Sequence, residues 1–222
     1  MNISDAFIQF RQLVNRNNTN NNISVDKPRF IQMFNDIQNR YLDFLLNKRD
    51  DDTIRRAAKF FSTQVLQLDK SEEIREVYVL PTNYFDFSNI EIKASQKNCK
   101  GIPLHSFEVK TENLQELLND KFSEPSFDYR ETFYHTSGDS TISIYKKDFS
   151  IDSVNLLYYR YPNKVDIEGY IKTDESNSTS IDPEWEDRDV SKILMAMSLE
   201  FSAINSDKAG YEFSKDRLFQ SI

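Results

Sequence analysis

The chain has 222 residues, with 36 acidic and 28 basic side chains, and carries a formal net charge of -8. This charge argues against tight wrapping of nucleic acid, because nonspecific affinity comes from neutralising phosphates with lysine and arginine. The single cysteine, Cys99, excludes an internal disulfide. No run approaches the roughly 18 apolar residues of a membrane span, and the first residues lack the features of a secretory signal. We therefore expect a soluble protein that is made inside the cell and has no membrane partner.

Apolar residues at helical spacing dominate the first part of the chain. A first helix is predicted over residues 5–14 with Ser4 as its cap, and an asparagine-rich loop follows up to Asn22. Asp26 and Pro28 then indicate the start of a second helix. Its apolar stripe is predicted to lie in the core and consists of Phe30, Phe34, Ile37, Tyr41 and Phe44.

A third helical segment is predicted after the acidic residues 50–52. Apolar residues from Ile54 to Leu68 continue in helical register, with Asp52 or Thr53 as the cap. Together with the second helix they indicate a helical hairpin. Consecutive carboxylates lack the spaced oxygens and turn glycine of an EF-hand loop, so residues 50–52 are not predicted to bind a metal.

The hydrophobic pattern changes from a helical period to a period near two after Glu73. Short strands separated by turn residues are predicted over residues 76–81, 90–93, 104–109, 132–135, 141–145 and 154–161. These segments predict an antiparallel β region, with a short helical turn at residues 113–119.

The last predicted helix begins with several signals that agree. Asp182 is the predicted N-cap, Pro183 suits the first helical position, and Glu184 with Glu186 places negative charge at the positive helix end. Lys192 falls outside the apolar face of this helix. That face is predicted to pack on the N-terminal hairpin and consists of Val190, Ile193, Leu194, Met197, Phe201 and Ile204.

These elements predict an α+β fold, in which a helical bundle formed from both ends of the chain brackets an inserted antiparallel β domain. The predicted helical domain comprises residues 1–75 plus 181–205, and the β-rich domain comprises residues 76–180. Residues 206–222 are predicted to form an extended C-terminal arm that orders only against a neighbour.

The sequence offers little support for catalytic chemistry. His105 and His135 are the only histidines, and no close ligand set joins them to Cys99. The four glycines form no phosphate-binding pattern, which disfavours nucleotide hydrolysis. We therefore predict no catalytic residue, no metal and no cofactor, and we do not expect an enzyme.

Four segments carry a family resemblance: the aromatic strand Tyr-Tyr-Arg-Tyr-Pro at residues 158–162, residues 165–170, the Asp-Pro-Glu-Trp helix start at residues 182–185, and residues 34–41. In these segments the chain resembles head-to-tail connector proteins of tailed phages, particularly those of crAss-like phages. The resemblance implies a virion structural protein with a helical body, a β domain and an extended arm. It also implies a homo-oligomeric, typically twelvefold ring beneath the portal that joins the capsid to the tail.

The partners that the resemblance implies are further copies of the chain, the portal protein and other connector or tail proteins. The implied location is the neck of the virion, after assembly in the cytoplasm of the host bacterium. Genome DNA would pass through the lumen of the ring without tight binding. The net negative charge, together with residues 50–52, suggests that this lumen is acidic, which would repel the phosphate backbone.

The aromatic residues, 17 phenylalanines and 11 tyrosines, suggest candidate contacts between subunits. A period of two places Tyr159 and Tyr161 on one strand face and Tyr158 on the other, and leaves open which face is core. Arg160 either clamps a carboxylate or is a solvated strand charge. The C-terminal aromatics either dock on the portal or the next ring, or belong to a disordered tail. The candidate interface residues are Tyr158, Arg160, Tyr211, Phe213 and Phe219.

Two other classes of function stay open. One is a carbohydrate-binding β module of a phage tail, in which aromatic side chains stack on sugars. The other is a phage glycan hydrolase, in which Glu184 or Glu186 pairs with a second carboxylate. Helix capping explains both glutamates more simply.

Overall fold

A computed structural model describes residues 1–15, 25–120, 122–137, 140–204 and 215. Over these residues the chain forms five α-helices, a short 3-10 turn (Ala58–Phe60) and eight β-strands. Helices lie towards both ends of the chain and the strands lie between them, which confirms the predicted mixed fold. The helices are α1 (Ile3–Asn15), α2 (Lys27–Lys48), α3 (Asp51–Ala57), α4 (Thr111–Asn119) and α5 (Asp187–Ile204). The strands are β1 (Phe61–Val65), β2 (Gln67–Ser71), β3 (Arg75–Val79), β4 (Tyr84–Gln96), β5 (Cys99–Glu108), β6 (Glu131–Ser137), β7 (Thr141–Tyr145) and β8 (Ser150–Arg160).

The chain divides into two compact units. The helical unit comprises Met1–Ala57 with Pro162–Ile222, and the β unit comprises Ala58–Tyr161. The sequence placed these divisions after residue 75 and after residue 180. The predicted C-terminal arm at 206–222 lies outside the described residues, apart from Lys215.

The core of the helical unit is built from the amphipathic faces of α1, α2 and α5. Phe10 of α1 contacts Phe30 of α2 and Phe201 of α5, with ring centroids 5.5 and 5.9 Å apart. Phe34 and Ile37 are buried as predicted, which confirms the first part of the α2 stripe as core. These contacts bring helices from both ends of the chain into one core.

The first two helices begin with side-chain caps. Asp26 accepts a hydrogen bond from the N–H of Arg29 at 3.2 Å, which confirms the predicted start of α2. The first helix is capped by Asn2, whose Oδ1 accepts the N–H of Asp5 at 2.8 Å. The prediction of Ser4 as the cap is therefore wrong, because α1 starts earlier than its apolar pattern suggested.

The third helix is shorter than predicted. It is capped by Asp50, whose Oδ1 accepts the N–H of Thr53 at 2.8 Å, rather than by Asp52 or Thr53 itself. The helix ends at Ala57, and the segment up to Leu68 that was predicted to be helical forms β1 and the start of β2.

The strands replace the predicted helix because of tertiary pairing. Strand β1 pairs with β8 in an antiparallel register that joins Phe61 to Tyr159. Spacings of four and three residues separate Phe61, Val65 and Leu68, which imitates a helical stripe, but all three side chains are exposed. Hydrogen bonding to β8 therefore overrides the local apolar spacing.

The last helix begins at Asp187, later than predicted. Asp182, the predicted N-cap of this helix, instead accepts the N–H of Ile3 at 2.8 Å and so caps α1. Glu184 accepts the backbone N–H of Asn163 at 2.7 Å. A carboxylate can satisfy any helix terminus that the fold brings near it, and local sequence does not reveal which one.

The eight strands form one sheet in the order β1-β8-β4-β5-β6-β7-β3-β2. The predicted antiparallel pairing holds except between β5 and β6, which are parallel because α4 forms a crossover between them. The two edge strands, β1 and β2, are separated along the chain only by Leu66, so the sheet must curl. Its inner face forms a core that includes Ile92, Ile144, Leu156 and Tyr158.

Candidate functional site

An open groove of about 460 Å³ lies on the helical unit among α2, α3 and α5. The groove exists because Ala196 and Ala203 present only methyl groups at this face of α5. Phe44, predicted to be core, lines the groove and is 44% exposed, because the α2 stripe extends beyond the packed interior. The apolar lining consists of Ile37, Phe44, Leu45, Ala196, Leu199 and Ala203.

The charged lining of the groove is mostly basic. Four basic side chains and one acidic side chain contribute to it: Arg40, Lys48, Arg56, Lys192 and Glu200. Arg40 pairs with Glu200 at 3.0 Å, and Lys48 pairs with Asp50 at 3.4 Å. These two pairs are exposed to solvent and contribute little to stability. The apolar floor is therefore surrounded by charged side chains that are mostly paired within the chain.

Arg56 is held at the groove by a buried network. Its guanidinium lies 3.3 Å from Asp189 Oδ1 and donates to the Tyr41 hydroxyl oxygen at 3.0 Å, and it also pairs with Asp52. The Tyr41 hydroxyl donates to Asp189 at 2.9 Å. Burial raises the pKa of Tyr41, and the hydrogen bond and charge of Asp189 raise it further. Tyr41 is thus a neutral donor, and the network fixes one wall of the groove.

Lys192 is the least compensated charge at the groove. It was predicted to lie off the apolar face of its helix, yet it is only 9% exposed. Its ammonium forms no ion pair within the described ranges. Burial lowers the pKa of Lys192, and the positive charges of Arg56 and Arg188 lower it further, whereas the negative charges of Asp189 and Asp52 oppose the shift. An anionic group bound in the groove would supply the missing partner.

Two predicted interface residues lie within the β unit. Tyr158 is 1% exposed and belongs to the sheet core, where its hydroxyl donates to Asn83 at 3.0 Å. Its prediction as an interface residue is therefore wrong, because its strand face is the inner one. Arg160 is half-buried, lies 5.6 Å from the centre of the Phe60 ring and donates to the Tyr161 carbonyl at 3.1 Å.

Four aromatic rings lie at the opposite face of β8 and its neighbouring strands, and two of them, Phe61 and Tyr161, are exposed whereas Phe85 and Tyr159 are half-buried. Phe61 contacts Tyr159 edge-on with ring centroids 5.6 Å apart, and Phe85 contacts Tyr161 in the same way at 4.8 Å. We call these four side chains the aromatic strip. The period-two argument placed Tyr159 and Tyr161 together, but Phe61 was missed because its segment was predicted to be helical.

The remaining candidate residues do not form a reactive site. Tyr211, Phe213 and Phe219 lie outside the described residues. Asp50 and Asp52 of the acidic run are engaged by Thr53 and Arg56. Over the described ranges, no group of three or more His, Cys, Asp or Glu side chains is placed to hold a metal ion. None of the helices formed by these residues is long and apolar enough to cross a membrane.

The groove was not predicted because it depends on which residues of α2, α3 and α5 face each other. The spacing of Ala196, Leu199 and Ala203 is a signal of a shared helix face, but small residues there are equally typical of close packing. The features that identify the site are the space left by the alanines and the unpaired Lys192.

No family model matches the chain, and no curated protein matches its sequence.

Proposed function

We propose that the protein is a structural subunit of a phage virion, a head-to-tail connector that forms a ring with copies of itself beneath the portal and joins the capsid to the tail. The observation that carries the proposal is the groove on the helical unit. It combines an open apolar floor with a buried, unpaired lysine, and such a surface is completed by contact with another protein chain.

The aromatic strip supports assembly through unlike surfaces. It lies on the β unit and consists of aromatic rings without charge, whereas the groove lies on the helical unit and combines an apolar floor with charged side chains. A subunit of a ring contacts its two neighbours through two different surfaces. The strip gives this chain a surface, chemically distinct from the groove, for contacts with other subunits or with tail proteins.

The charge of the chain supports the passage of DNA through such a ring. A net charge of -8 disfavours tight binding to phosphates, so an acidic lumen would let the genome slide past. We expect the ring to be located in the neck of the virion and to assemble in the host cytoplasm, with the portal and other connector or tail proteins as partners.

The proposal is tested by assembling the purified chain with the purified portal protein and imaging the product by negative-stain electron microscopy. We expect a ring stacked on the portal, and mass spectrometry of purified virions should detect the chain. Its absence from virions, together with no added ring on the portal, would contradict the proposal.

The aromatic strip also favours a second candidate, a carbohydrate-binding module of a phage tail. The rings meet edge-on, with interplanar angles of 70° and 81°, so they do not form one coplanar platform for a sugar. Binding to a glycan array that is lost in Tyr161→Ala would support this candidate. Assembly of the unmodified chain on the portal, with no glycan bound on the array, would exclude it.

A further inference from the structure

We propose that the groove of one copy of the chain is occupied by an acidic aromatic projection on the β unit of a second copy. This projection, which we call the acidic prong, comprises α4, Asp120 and residues 122–130. The inference rests on the proposed self-assembly and names the partner of the groove. The contact is head-to-tail because the two surfaces differ.

Phe122 is the apolar anchor of the acidic prong. Its side chain is 100% exposed, and Tyr129 nearby in the sequence is 82% exposed. An isolated phenylalanine in full contact with water gains more from burial in a partner than any half-covered residue. The groove volume of about 460 Å³ is sufficient for an aromatic ring with its flanking residues.

The backbone at Phe122 is held by a hydrogen bond to the side chain of Asp120. The N–H of Phe122 donates to Asp120 Oδ1 at 3.0 Å, and the Ser123 hydroxyl donates to Asp120 Oδ2 at 2.7 Å. The Ser123 N–H donates to the Asp120 carbonyl at 3.1 Å. The Phe122 hydrogen bond, assisted by that of Ser123, lowers the pKa of Asp120, so this carboxylate is ionised. These hydrogen bonds restrict the backbone at Phe122 and Ser123, which reduces the entropy lost on docking.

The charges of the two surfaces are complementary. Glu112 and Glu116 on α4, and Asp120 and Asp128 beyond it, are all exposed acidic side chains of the acidic prong. Three of the four basic side chains at the groove are paired within the chain, and the fourth, Lys192, has no ion-pair partner among the described residues. Docking of the acidic prong brings carboxylates towards Lys192 and Phe122 to an apolar floor.

The test is sedimentation velocity over a concentration series with two complementary variants. Phe122→Asp removes the anchor and keeps the groove, whereas Ala196→Arg fills the groove and keeps the acidic prong. We expect each variant alone to lose self-association by roughly 30-fold or more. We expect an equimolar mixture of the two to form a dimer that does not grow, because each such pair retains a single intact contact.

Matched controls separate docking from loss of structure. Ile74→Asp is the control for Phe122→Asp, because it introduces a negative charge at another exposed residue of the β unit. Gln32→Arg is the control for Ala196→Arg, because it introduces a positive charge at an exposed position of α2 outside the groove. Both should associate like the unmodified chain. Ala203→Arg is a second groove-filling variant at an exposed position, and it should behave like Ala196→Arg even if the latter folds poorly.

Three results would overturn the inference: an unmodified chain that stays monomeric throughout the series, a Phe122→Asp variant that associates normally, or a mixture of the complementary variants that stays monomeric. If groove filling alone abolishes association, the groove binds a segment other than the acidic prong. Rings on the portal that form equally with Phe122→Asp would refute this contact and leave the proposed function standing. A mixed dimer without rings on the portal would support this contact and contradict the proposed function.

Discussion

The β unit and the helical unit each contain a poorly exposed lysine, and the two lysines are treated differently. In the β unit, the Lys146 ammonium lies 2.5 Å from Glu76 Oε1, and the Tyr78 hydroxyl donates to Glu76 Oε2 at 2.6 Å. In the helical unit, Lys192 is 9% exposed and forms no ion pair with the residues that the structure describes. One charge is neutralised within the unit, and the other is not.

The comparison distinguishes a charge that is paired within the fold, Lys146, from Lys192, for which we propose a partner on another chain. Removing a charge from water costs free energy that only a close counter-charge or hydrogen bond recovers. Glu76 recovers it for Lys146, so that pair belongs to the fold. For Lys192 the charges of Asp189 and Asp52 recover only part of this cost, and we expect an incoming carboxylate to recover more of it. We therefore expect an anionic partner in the groove to stabilise it.

The largest expected effect is that of Lys146→Met on the β unit. The substitution leaves the Glu76 carboxylate buried without its cation, so we expect the free energy of unfolding to fall by about 3 kcal/mol. Urea unfolding measures this change. Lys70→Met removes an exposed pair with Glu72 and should cost less than about 1 kcal/mol. Equal losses in the two variants would show that burial does not distinguish these pairs.

A compensated charge in the helical unit provides the next test. Asp166 is 5% exposed, and its carboxylate accepts hydrogen bonds or an ion pair from Ile167, Tyr170, Lys172 and Thr179. Asp166→Asn places an amide donor among these donors, and we expect a loss of about 2 kcal/mol in unfolding free energy. The control is Asp174→Asn in the same loop, where the carboxylate is exposed. A loss at Asp174 as large as that at Asp166 would contradict the explanation.

Lys192→Met should have a smaller effect of opposite sign. Replacing an unpaired buried ammonium with an apolar side chain of similar length removes a desolvation cost, so we expect the monomer to gain about 1 kcal/mol in unfolding free energy. The measurement is urea unfolding at a concentration where the chain is monomeric. A destabilised Lys192→Met monomer would mean that Lys192 is compensated within its own chain.

The smallest effect is the pH dependence of that gain. The pKa of Lys192 is lowered in the folded chain, so between this pKa and the ordinary value of 10.5 the unfolded chain binds more protons than the folded chain. At neutral pH the charged Lys192 lowers the free energy of unfolding. This loss becomes smaller as the pH rises through this window. Unfolding at neutral pH and just below 10.5 should show a narrower gap between Lys192→Met and the unmodified chain at the higher pH. A constant gap would contradict the lowered pKa.

Local patterns predicted much of the fold. Alternation of apolar residues identified six of the strands, β3 to β8, and the spacing around Phe30 identified α2 with its Asp26 cap. The same reasoning failed for β1, where the spacing of Phe61 and Val65 imitates a helix and pairing with β8 decides the structure. The bracketing of the strands by terminal helices followed from the apolar face of the last helix.

The candidate site was largely invisible in the sequence. Lys192 has a polar side chain next to an apolar stripe, and only the positions of α2 and α3 show that it is buried without an ion pair. Tyr158 was predicted at an interface because alternation separates two faces without saying which is inner. The curl of the sheet around Leu66 makes the Tyr158 face the core.

The contact between copies is measured most directly by disulfide trapping in a Cys99→Ser background. Phe122→Cys and Ala196→Cys are placed in separate chains, which are then mixed under mild oxidation and analysed by mass spectrometry. We predict a dimer in which position 122 of one chain is linked to position 196 of the other, and no comparable yield when Ile74→Cys replaces Phe122→Cys. Equal yields from the two mixtures, or no linkage between positions 122 and 196, would contradict docking of the acidic prong in the groove.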